Sequence, residues 1–164
     1  MPSRPAKQAE PLRLRAVDAD DLAVIAACLQ DALIPLNEMA FLAADHRFMA
    51  AFTRFCRECL DDPDGPDCDG LMQRQSVLTL EQVEAVRFRG LDPRFGRVRL
   101  ELLTIVAEHE EDEDACRVTL LFAGDVAIQV QARHLAARLE DFGEPWPARC
   151  APAHGLEPAS AGGA

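Results

Sequence analysis

The sequence predicts an α+β domain: a curved antiparallel sheet or partly closed barrel, with one helix near the N-terminus and a second capping one end. Three observations predict it. Apolar and polar residues alternate in segment after segment beyond Pro35. Apolar residues recur instead at three- or four-residue spacing between Leu22 and Leu33, and again between Leu135 and Phe142. Short turn-forming stretches join the alternating segments, which favours a meander over parallel crossovers.

Leu12 to Val17 alternates apolar and basic residues and reads as a short strand. Asp18, Asp20 and Asp21 follow, suited to the free N–H groups and positive dipole end of a helix start. Leu22, Ile25, Leu29 and Leu33 give that helix one apolar face, and Pro35 stops it. Met39, Phe41 and Ala43 then share a face, as do Phe48, Ala50 and Phe52. Segments 36–44 and 47–56 therefore form a hairpin turning at Asp45-His46. A helix through 38–60 is the competing reading, since Ala, Met and Leu favour helix, but alternation on both sides of the turn favours strands.

Asp61 to Gly70 holds five Asp, two Pro and two Gly, the composition of an exposed acidic loop. Gln75 to Arg89 is strand-like with a change of phase near Gln82–Glu84, which a bulge or tight turn explains. Val98, Leu100 and Leu102 alternate with charged residues before the parity moves to Leu103 and Ile105. The acids from Glu108 to Asp114 make a solvated hairpin tip that discourages edge pairing. The clearest signal is a 116–132 hairpin, with Val118, Leu120 and Phe122 set against Val126, Ile128 and Val130 across a Gly124-Asp125 turn. His134 to Phe142 reads as the closing helix, ended by Gly143.

Residues 1–11 are expected to be a flexible leader, 12–147 a single α+β domain, and 148–164, rich in Ala, Pro and Gly, a disordered tail. At 164 residues and 49% apolar content the chain suits one domain with a real core. A net charge of -11 argues against nucleic acid or an anionic membrane as partner, because both need a basic surface. No secretory leader or membrane-length apolar run is legible, so a cytoplasmic location with six reduced cysteines is expected.

Candidate chemistry is sparse. Cys56-Arg57-Glu58-Cys59 is a CxxC, and with Cys68 it gives the weak candidates for a metal; no second CxxC or histidine pair completes a zinc set. Two ordinary reduced thiols are the simpler reading, and no metal or other cofactor is expected. His46 follows Asp45 at a turn, yet no nucleophile is placed to complete a catalytic set with it or with His109. Arg87, Arg89, Arg94, Arg97 and Arg99 interleave with Phe88, Phe95 and Val98, and this is the best located binding surface. Its functional reading is recognition of carboxylate or phosphate; the plainer one is the wet face of two strands paired with acids.

The predicted order of elements resembles the pleckstrin-homology-like (PH-like) barrel, and the resemblance is one of topology. The stretches LRLRAVDADDLAVIAACLQDALIP at 12–35, FLAADHRFMAAFTRF at 41–55 and HLAARLEDFGEPWP at 134–147 also resemble an uncharacterised bacterial family, domain of unknown function 2948. That resemblance implies no activity and no catalytic residues. The reading that follows is a bacterial, cytoplasmic binding or adaptor domain, more an interaction protein than an enzyme, with an unknown protein partner or a second copy as its target. Recognition would run through an edge strand or the arginine surface. The alternative is a small enzyme or metabolite-binding protein with a pocket near the C-terminal helix.

Overall fold

The computed structural model describes residues 10–60, 70–92, 94, 97–111 and 115–148. Ten strands and one α-helix follow in order: β1 (Arg13–Ala16), α1 (Ala19–Leu29), β2 (Leu33–Pro35), β3 (Met39–Leu42), β4 (Arg47–Cys56), β5 (Met72–Leu80), β6 (Val83–Arg89), β7 (Arg99–His109), β8 (Cys116–Phe122), β9 (Val126–Ala132) and β10 (Ala137–Pro147). The α+β expectation with a helix at each end is thereby corrected: the described fold is dominated by antiparallel sheet.

The helix α1 starts as its acids dictate. The Asp18 side chain accepts the Asp21 N–H at 2.8 Å, and Leu22, Ile25, Ala26 and Leu29 are buried. It stops before the expected Leu33. Asp31 takes a left-handed conformation (φ 64°), and the Asp31 N–H donates to the Leu102 carbonyl at 2.9 Å. Leu102 in turn donates to Ala32 at 2.9 Å, so the chain leaves the helix straight into pairing with β7. Pro35 ends β2 rather than the helix.

The closing helix does not exist. Segment 137–147 is β10, bonded to β1 on one side and to β5 on the other. Ala, Arg, Leu and Glu favour helix in isolation, and Leu135, Leu139 and Phe142 fit its spacing. Backbone pairing on both edges outweighs that preference. The working period is two: Ala137 and Leu139 are buried, whereas Phe142 is exposed.

The strand order is β1-β10-β5-β4-β2-β7-β8-β9-β6, with β3 hung on β4. The sheet is open, with β1 and β6 as its ends, so the partly closed, PH-like barrel is also corrected. The meander holds for β3–β4–β5, including the hairpin expected at Asp45-His46, and for β7–β8–β9, but fails elsewhere. The phase change near Gln82 is the reason at one corner. Gln82 is left-handed (φ 59°), and the chain there leaves β5, between β4 and β10, for β6, beside β9. The expected bulge lies just beyond, between Val83 and Ala85. The parity shift at Leu103 is likewise a break in the β7–β8 register between Leu102 and Thr104.

One buried apolar cluster joins α1 to the sheet, from Ile25 and Leu29 through Phe48, Phe52 and Leu78 to Leu102, Leu120 and Ile128. Among the described residues no helix is long and apolar enough to cross a membrane.

Candidate functional site

The β3–β4 turn and the start of β6 are pinned together. The Val83 N–H donates to the His46 carbonyl at 2.8 Å, and the His46 ring Nδ1 lies 3.3 Å from the Val83 carbonyl. His46 reaches this position through a left-handed backbone (φ 51°), which closes the turn. Strand β3 runs into the pin and β6 runs out of it. Between them opens a cleft of about 510 Å³, floored by Phe48 and walled by Met39 and Phe41 on one side and Phe88 and Leu91 on the other. Leu36 and Asn37 close its far end, and Asn37 brings its polar amide.

Both walls are strand edges. Among the described residues β3 pairs with β4 alone and β6 with β9 alone, so each leaves one row of backbone groups without a strand partner. The wall side chains are wet: Phe88 is 53% exposed and Phe41 37%, over a Phe48 floor that is 1% exposed. An apolar slot between two unpaired edges can accept an extended segment carrying apolar side chains.

The arginines divide into groups. Arg87 and Arg89 lie on β6, adjacent to Phe88 and therefore on its opposite face. Arg87 stands across from Gln129 on β9, beside a polar hollow of about 280 Å³. Arg99 opens β7, opposite Pro35, with Arg97 just before it; β8 and β9 separate that strand from β6. Arg94, in the connecting loop, clasps Asp92, with its Nη2 2.7 Å from the carboxylate. That guanidinium and a backbone N–H hold the Asp92 carboxyl below the ordinary range. Arg87, Arg89, Arg94, Arg97 and Arg99 are all exposed.

Cys56 is buried at the end of β4, while the Cys59 side chain and Cys68 lie outside the described residues. Among the described residues no three His, Cys, Asp or Glu side chains converge as metal ligands. Burial pushes the Cys28 and Cys116 thiols up, making them poor nucleophiles. His109 lines an open polar hollow of about 780 Å³ with Glu108, Glu110, Glu111 and Arg117.

The sequence reading missed a buried ion pair. Arg54 on β4 is 1% exposed, and its Nη2 lies 2.7 Å from Asp141 on β10. The same guanidinium reaches Glu58 at 2.7 Å, and the Ser76 hydroxyl and the Leu12 N–H both donate to Asp141. Burial opposes charge on Asp141, but hydrogen bonds from Arg54, Ser76 and Leu12, with the Arg54 charge, hold its carboxyl below the ordinary range. Burial likewise opposes charge on Arg54, yet its two carboxylates keep the guanidinium firmly protonated. With Ser76 and Asp141 sealed, the cluster fastens β4, β5, β10 and the residue before β1. The signal was parity: Arg54 continues the inward series Phe48, Ala50, Phe52, and Asp141 continues Ala137, Leu139.

Comparison with known proteins finds no match among curated proteins and none among solved structures. A family model does match, over residues 12–154, and its description is "Protein of unknown function (DUF2948)".

Proposed function

Because the chain belongs to the DUF2948 family, which brings no activity with it, we propose a function from geometry: a non-catalytic module that binds an extended peptide as an added strand between β3 and β6. The observation that carries this is the pairing of two unpartnered strand edges with an apolar floor and a half-exposed Phe88. Main-chain hydrogen bonds to either edge would supply affinity, and the cleft would sort side chains at alternate positions. A cytoplasmic, bacterial setting fits the acidic composition and the reduced thiols.

The test is titration of the isotope-labelled protein with a short peptide alternating valine and threonine, read by amide chemical shifts. Saturable shifts confined to 39–42 and 84–89, weakened at least about tenfold by Phe88→Ser, are expected. Shifts scattered over the molecule, or none, overturn the reading.

A second reading keeps one observation in its favour. The cleft volume, about 510 Å³, suits a small apolar metabolite, with Asn37 fixing its orientation. This replaces the pocket beneath a C-terminal helix, which has no helix to lie beneath. A medium-chain fatty acid that shifted Met39 and Phe88 side-chain signals and excluded the peptide would favour it.

A further inference from the structure

The hollow on the outer face of β6 lies on the reverse side of the strand that walls the cleft. It is lined by Ala85, Arg87, Glu110, Arg117, Gln129 and Gln131. The β-ladder puts Arg87 opposite Gln129 and Ala85 opposite Gln131, and Arg117 on β8 opposite Gln131. The small Ala85 side chain leaves the space open at the edge of the sheet.

One of its charges, on Arg87, stands apart from the others. Glu110 is spoken for: Arg117 meets it at 2.8 Å and the Gln131 amide donates to it at 2.7 Å. Arg87 has no ion-pair or hydrogen-bond partner among the described residues. Arg117 is shared between two carboxylates, since Glu108 lies 3.9 Å from it as well, so Arg87 is the charged side chain of the hollow that lacks a counter-ion among the described residues.

We infer that the Arg87 hollow reads an acidic side chain on the bound peptide, so that the preferred ligand carries Asp or Glu between two apolar residues. The inference rests on strand addition at β6. Side chains directly opposite across an antiparallel pair sit about 4.5–5.5 Å apart at Cβ, and neighbours along a strand point to opposite faces. A residue opposite Arg87 on an added strand therefore falls on the outer face, and the residues beside it fall toward Val86 and Phe88. A carboxylate there meets the Arg87 fork, with the Gln129 amide as a further donor. It gives Arg87 a counter-ion without displacing Glu110 from Arg117.

Two peptides decide it, both alternating valine and threonine, one with glutamate and one with glutamine at the central outward position. Affinities are measured by calorimetry on the full chain at low and high salt. The glutamate peptide is expected to bind at least about fivefold tighter at low salt, with the advantage shrinking as salt rises. Arg87→Gln should erase the difference between the two peptides, and Arg87→Lys should keep part of it. Equal binding of the two peptides, or an equal loss of both on Arg87→Gln, overturns the inference and spares the cleft. Failure of both peptides to bind overturns the cleft reading and this inference with it.

Discussion

Arg54 shows how one side chain can be both costly and indispensable. A guanidinium at 1% exposure has lost its water, and among the described residues the carboxylates of Asp141 and Glu58 compensate its charge. Arg54→Ala should therefore destabilise the protein by about 3–5 kcal/mol, because it strands the Asp141 carboxylate. The double change Arg54→Leu with Asp141→Leu should recover most of that loss in urea melts. Asp141 also sets an acid limit. Its folded pKa is lowered, so its contribution is complete above the unfolded value of about 3.9 and drains away as pH falls below that toward the folded value. Asp141→Asn should flatten the decline in melting temperature over that acid range, and an unchanged slope would contradict the assignment. Sequence alone held the clue in the parity of Arg54 and Asp141, but their partnership joins residues 87 positions apart, which periodicity cannot see.

At the scale of elements, termini and turns hold the most testable features. Asp18→Ala removes the α1 cap and should cost about 1 kcal/mol in thermal or urea denaturation. Gly90 is stricter. It ends β6 at φ +76°, and a Cβ there would come within 2.5 Å of the Asp125 carbonyl oxygen. Gly90→Ala should cost more than about 1 kcal/mol and also weaken peptide binding, by shifting the edge that Phe88 and Arg87 share. The strands with clean alternation, β4, β8 and β9, were legible from sequence, as was the start of α1. Segment 137–147 was not, because its composition favours helix and its strand state is imposed by β1 and β5 on either flank. The cleft was half legible. The arginines around Phe88 were visible, but the apolar wall depends on His46 meeting Val83, a contact that no local pattern announces.

For the whole molecule, stability should grade from the middle of the sheet outward. Strands β4 and β5 are paired on both edges along much of their length, while β3 and β6 each keep one edge open. Hydrogen exchange should be slowest for residues 74–80 and 48–55 and fastest for 39–42 and 84–89. A saturating peptide should selectively slow the latter two segments. The strand order explains why the overall architecture could not be read from spacing: β1 beside β10, β2 beside β7 and β6 beside β9 are distant pairings, and an alternating pattern names a face but never a neighbour.

The insertion of β10 between β1 and β5 has a consequence for how the chain is born. Arg54 leaves the ribosome 87 residues ahead of Asp141. At roughly 5–20 residues per second that is a wait of about 4–17 s. Through that interval the growing polypeptide carries Arg54 with Glu58 made but Asp141 still to come, and β1 has no strand to lie against. Completion of this half of the sheet must therefore wait until β10 has been made.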